Sequence, residues 1–243
     1  MSAPKIILEI AVFSLEAAIK AIQSGANRIE FCENPNEGGT TPSYGSLKTL
    51  IGLNVNIPVF PIIIPRGGDF LYTDAEYECI KTDLLLVKDL GYPGAVIGLL
   101  KEDGSIDMER TKELVQLAAP MEITFHRAFD RCKNPFEGLE AIIETGCKRI
   151  LTSGQVPNVA DAIPFIKELV EKAAGRIIIL PGSGVRSNNC KTIIDSTGAK
   201  EIHSSARKAV SSFMKFNAPS MNEQMISMGI DEAEIKLMLE VLA

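Results

Sequence analysis

Four phrases spaced along the chain, SGANRIEF, LGYPGAVI, TGCKRILT and TGAKEIHS, share one grammar: a helix end, a glycine cap, a short loop and a buried strand. Few architectures satisfy that repeat, because successive parallel strands need long, right-handed crossovers and their helices must cover the sheet. Eight strand candidates fit it, at 6–10, 28–32, 58–64, 94–100, 122–127, 149–153, 176–180 and 201–204. Helical patterns at 14–24, 74–90 and 135–145 end on Gly25, Gly91 and Gly146, residues free to adopt the positive φ that closes a helix. Eight βα units of this size predict a (β/α)8 TIM barrel. The rival open, doubly wound sheet would carry a glycine-rich turn after its first strand; LEIAVFSLEAA has none, so no nucleotide cofactor is expected. With 243 residues, 46% of them apolar, a single domain is expected, with the barrel over about 5–207 and an irregular C-terminal tail and final helix over 208–243.

A formal net charge of −6 argues against nucleic acid as a partner, and no apolar run approaches the roughly 20 residues that cross a membrane. Five scattered cysteines without a leader pattern predict reduced thiols and a cytoplasmic protein.

Barrel chemistry sits at the carboxyl ends of the strands, so alternation along each strand sorts the candidates. One face groups Ile7, Glu9 and Ala11; another Arg28, Glu30 and Cys32; others Ile62, Ile64 and Arg66, Thr124 and His126, Ile150 and Thr152, and Glu201, His203 and Ser205. If these faces point inward, Glu9 and Glu30 occupy adjacent upper positions and both histidines reach the mouth. Buried carboxylates need partners, and Arg66 and Arg127 are the expected cations. Glu9, Glu30, Arg66 and His126 are therefore the candidate catalytic residues, and an ion network that merely plugs the barrel is the bland alternative. After the seventh and eighth strands, LPGSGVRSNN and HSSARK offer an anion cradle from Gly182, Ser183, Gly184, Arg186, Ser205 and Arg207, with a helix starting near Ser187 adding its positive end; a tight turn explains the same glycines. PRGGDF after the third strand is a lid or a turn. Lys148 and Lys200 fall at strand starts, the wrong rim for a Schiff-base lysine. Cys32, His126, His203 and the tail methionines Met214, Met221, Met225 and Met228 are the soft donors a copper(I) ion would want, although those methionines pack equally well against apolar surface.

The strings LEIAVFSLEAA, GANRIEFCENPNEGGTTPS, PRGGDFLYTDAE, TFHRAFD, RILTSGQ, PGSGVR and EIHSSAR, in that order, resemble the CutC family over about 7–207. The resemblance implies a cytosolic barrel, a homo-oligomer such as a dimer, and a role in copper homeostasis with copper ion binding. It matches the family's second-strand cysteine to Cys32 and places Ala11 where relatives carry a first-strand cysteine, so a two-cysteine site is not expected. Cys32, with His203, is the expected weak copper site. The alternative expectation is an enzyme acting on a small anionic or phosphorylated metabolite by carboxylate and histidine acid/base chemistry; a scaffold whose contacts lie on the outer helices is a third.

Overall fold

A computed structural model describes residues 6–222 and 224–243; the expected barrel start at residue 5 lies just outside them. Eight strands alternate with helices: β1 (Ile7–Val12), α1 (Leu15–Gln23), β2 (Arg28–Phe31), α2 (Tyr44–Gly52), β3 (Val59–Pro61), α3 (Asp74–Asp89), β4 (Gly94–Ile97), α4 (Met108–Ala118), β5 (Glu122–Phe125), α5 (Pro135–Thr145), β6 (Arg149–Thr152), α6 (Ile163–Ala173), β7 (Ile178–Pro181), α7 (Cys190–Thr197) and β8 (Glu201–Ser204). All pairings among these eight are parallel, in the orders β3-β2-β1-β8 and β4-β5-β6-β7. A bridge from Ile62 to Val96 joins β3 to β4, and at the other seam Ser204 Oγ donates to the Val185 carbonyl at 2.8 Å. The ring is the expected TIM barrel.

The tail over 208–230, expected to be irregular, holds more structure than expected, and the expected final helix follows it. β9 (Arg207–Ser211) and β10 (Ile226–Ile230) form an antiparallel hairpin, and α8 (Glu232–Leu242) follows it. α8 is the barrel's eighth helix, since it packs beside α1 and α7 and buries Ile235 and Met238 completely. A hydrophobic-to-polar tail with no repeat of the strand–glycine grammar hid this; the detour simply lengthens the last crossover.

Alternation divides the core in two. Leu8, Ile10, Ile29, Phe31, Ile63, Ile97 and Phe125 face the helices in one large cluster. Phe60, Ile62, Ile64, Val96 and Cys32 form a small apolar cluster inside the barrel. Much of the rest of the interior carries charged side chains, Glu9, Arg28, Glu30, Arg149 and Glu201.

Candidate functional site

The parallel register fixes the layers of that charged interior. Glu9 lies level with Arg28 on one side and His203 on the other, while Glu30 is level with Ala11, one step nearer the mouth. Glu9 and Glu30 are neighbours inside the barrel as expected, offset in height by strand stagger. In the lower layer Arg28 bonds both Glu9 and Glu201, and Arg149 Nε donates to Glu201 at 2.9 Å. Both guanidinium groups sit 5.4 Å from the centre of the Phe60 ring, a cation–π arrangement. Arg149 also reaches the half-exposed Glu122 at 2.7 Å, which carries the network to the barrel floor.

These arginines, rather than Arg66 and Arg127, neutralise the buried carboxylates. Arg66 is turned into its own loop, where it bonds Glu76 at 2.6 Å, Asp69 at 3.0 Å and the carbonyls of Gly67, Asp69 and Leu71. Arg127 bonds Asp130 at 2.8 Å. A surface guanidinium next to loop carbonyls and an exposed carboxylate keeps more of its hydration than one drawn into the barrel. The sixth strand also reverses the expected parity: Ile150 joins the outer cluster, Thr152 donates to Asp130, and Arg149 and Leu151 face inward.

Level with Glu9, His203 places its Nδ1 2.8 Å from Glu9 Oε1, and its Nε2 lies 3.9 Å from Glu30 Oε2. The Cys32 thiol donates to the same Glu30 oxygen at 3.6 Å. Donor atoms of Glu9, Glu30 and His203 all lie within 4.8 Å of one another. Burial opposes ionisation of Glu9, but Arg28 and the His203 hydrogen bond outweigh it and hold its pKa at about 2. Burial also opposes a charge on His203, yet Glu30 and Glu9 outweigh it and raise its pKa. Glu30 is pushed up by burial and by its neighbour Glu9, against the pull of His203. Burial and Glu30 push the Cys32 thiol well up, so it stays protonated. Two carboxyls therefore share this corner with different proton affinities, the condition for acid/base work.

A cavity of about 880 Å³ opens over this layer. Glu30, Arg66, His126, His203, Ser183, Gly184, Arg186, Ser205 and Arg207 line it; Glu9, Cys32 and Gly182 do not. Cys32, two residues beyond Glu30 along the chain, is 1% exposed among apolar side chains rather than open to the mouth. Gly182 is needed in the wall, where a Cβ would crowd Leu151 at 2.6 Å and His203 at 3.1 Å. Ser183 and Gly184 hold φ of +85° and +72°, and the amides of Ser183, Gly184 and Val185 donate to no described residue. The helix expected from Ser187 starts instead at Cys190. Glu234 of α8 takes the Ser187 amide at 2.7 Å and its hydroxyl at 3.0 Å, so the positive end there is already satisfied. Arg186 donates to the Arg207 carbonyl at 3.2 Å, which ties the two loops together.

The molecule is thus a (β/α)8 barrel with an ion-paired floor, a proton-sharing carboxylate–histidine layer and a roomy polar mouth. The CutC family model matches residues 6–208, and the chain belongs to the CutC family. A CutC family protein of Parabacteroides distasonis is 50% identical over 212 residues, covering 87% of each chain. A mouse protein named as a copper homeostasis CutC homologue is 44% identical over 235 residues, covering 97% of this chain and 84% of its own. The crystal structure of a Streptococcus agalactiae CutC protein superimposes with a TM-score of 0.79 at 32% identity, over 82% of this chain and 98% of that one.

Proposed function

We propose that this protein takes part in copper homeostasis in the cytoplasm and that copper, as its cargo, docks weakly where Cys32, Glu30 and His203 meet. Family membership and the mouse relative's name support the cellular role. Unpaired thiols at all five cysteines support a reducing compartment. The observation that carries the docking point is the convergence of a sulfur and an imidazole on one carboxylate oxygen, Glu30 Oε2, at 3.6 and 3.9 Å. Copper(I) favours sulfur and imidazole, and an entering cation would displace the thiol proton. With a single sulfur and Arg28 nearby, the site is a weak one. Copper(I) titration against a competing chelator tests it: Cys32→Ser is expected to weaken binding at least tenfold. Unchanged affinity removes Cys32 from the site, and absence of binding ends the reading.

A second reading, an enzyme acting on a small anionic or phosphorylated metabolite, is favoured by the cavity itself. Its volume of about 880 Å³ suits a small molecule far better than one ion, and Glu30 Oε1, a buried atom in its lining residues, has no partner among the described residues. Here Glu30 serves as the acid/base group and the 183–185 amides hold the anion. Chemical-shift changes confined to those amides on adding inorganic phosphate would support it, and a flat titration would sink it. We extend the proposal to a homodimer, because the hairpin tip holds Phe213, Met214 and Phe216 out in solvent; sedimentation as a monomer at micromolar concentration overturns that extension.

A further inference from the structure

One polar atom of the mouth belongs to a ring fixed on several sides and meets no partner among the described residues. His126 is 2% exposed and lines the cavity, and its Nε2 has no partner among the described residues. Its other nitrogen, Nδ1, accepts the Ala128 amide N–H at 3.0 Å. A nitrogen that accepts cannot also carry the proton, so the neutral ring keeps its hydrogen on Nε2. The ring is fixed from three further directions. Phe70 lies across it with centroids 4.7 Å apart, Phe125 lies 6.1 Å away, and Gly98 leaves the space that any Cβ there would take from the imidazole.

We propose that His126 is a preorganised hydrogen-bond donor, through Nε2–H, to a carboxylate or carbonyl oxygen of a small anionic molecule bound in the barrel mouth. The proposal rests on the second reading above and deepens it by dividing the labour: Glu30 handles protons, and His126 recognises an oxygen. Burial keeps the imidazole neutral by pushing its pKa down to about 3; Asp130 opposes this, while Arg127 and Arg131 reinforce it. A ring so fixed is a poor base. It is also a poor metal ligand, since binding a cation at Nε2 would move the proton to Nδ1 and set donor against donor at the Ala128 amide. His126 therefore lies outside any copper site. In the wall β5 stands two places from β7, so an anionic group at the 183–185 amides and an oxygen at His126 are separate anchors. The ligand class that satisfies both carries a phosphate and, several bonds away, a carboxylate or carbonyl.

The test uses the full chain, with inorganic phosphate and 3-phosphoglycerate as probes. In nitrogen-resolved NMR of the wild-type protein, His126 is expected to show the Nε2–H tautomer unchanged from pH 5 to 8; a charged ring or the other tautomer overturns the proposal without any ligand. By calorimetry, 3-phosphoglycerate is expected to bind at least tenfold more tightly than phosphate. His126→Phe should abolish that advantage while leaving phosphate affinity unchanged, and His126→Gln, which restores an N–H donor, should recover part of it. Equal advantage in wild type and His126→Phe refutes the role of His126 alone. If neither probe binds the wild type, the small-anion reading fails and this proposal falls with it.

Discussion

Arg28 is the residue on which the interior turns. It bonds Glu9 and Glu201 while only 4% exposed, so its loss leaves Glu9 to His203 alone and Glu201 to Arg149 alone, both away from water. Arg28→Met is expected to cost about 3–5 kcal/mol in urea unfolding; a cost under 1 kcal/mol would show that those remaining partners suffice. The histidine above them gives a pH signature. His203 has a folded pKa above the ordinary 6.5, so its stabilisation is complete below that pH and fades as pH rises through the folded value. Glu30, also raised, acts in the same sense from its ordinary 4.5 upward. Glu9 acts oppositely: its contribution is present above 4.5 and is lost as pH falls toward about 2. The stability difference between wild type and His203→Gln should therefore be widest near pH 6 and narrow toward pH 9; a gap that widens with pH contradicts the assignment. Which residues gather here was readable in the alternation of β1, β2, β5 and β8. Their partners were not, because a carboxylate chooses among arginines by stagger between strands, and one-dimensional spacing holds no stagger. Arg28 was nonetheless detectable, two residues from Glu30 on the same face.

At the level of single elements, local chemistry and long-range packing separate cleanly. α3 begins at a capping box in which Thr73 Oγ1 accepts the Glu76 amide and the Glu76 carboxylate accepts the Thr73 amide at 2.8 Å. Thr73→Ala is expected to lower stability by about 1 kcal/mol while leaving copper affinity unchanged, as read by urea unfolding and chelator competition. The preceding loop is organised by Arg66, which spans three carbonyls and two carboxylates. Arg66→Ala should move global stability by less than about 1 kcal/mol yet speed proteolytic cleavage at Gly67–Gly68; an unchanged cleavage rate would mean that the loop holds its shape without the guanidinium. Caps at Gly146 and Asn134 follow directly from residue type, which is why helix ends were legible. β6 was misread because its four residues, Arg149–Thr152, are all buried, and a strand covered on both faces offers no polar contrast to set its phase.

For the molecule as a whole, the last helix decides whether the ring is complete. Gly25, at the end of α1, faces Leu239 of α8, where an added Cβ would lie 3.1 Å from the Leu239 methyl; Glu234 reaches the loop after β7, and the Asp231 amide donates to the Ala206 carbonyl at 2.7 Å. Ile235→Ala, which empties a fully buried position between α1 and α7, is expected to cost about 2–5 kcal/mol, measured by urea unfolding. A loss below 1 kcal/mol would make α8 an appendage. A final helix was expected in the tail, but the repeat grammar did not mark it as the eighth crossover, since the hairpin interrupts the spacing before the final unit. Because residues 232–242 cover the seam between first and seventh helices, a ribosome must synthesise past that segment before the cylinder is sealed. A transcript truncated ahead of codon 232 would thus release a nearly finished wall with an oily slot along it, a product for quality control rather than a smaller working protein.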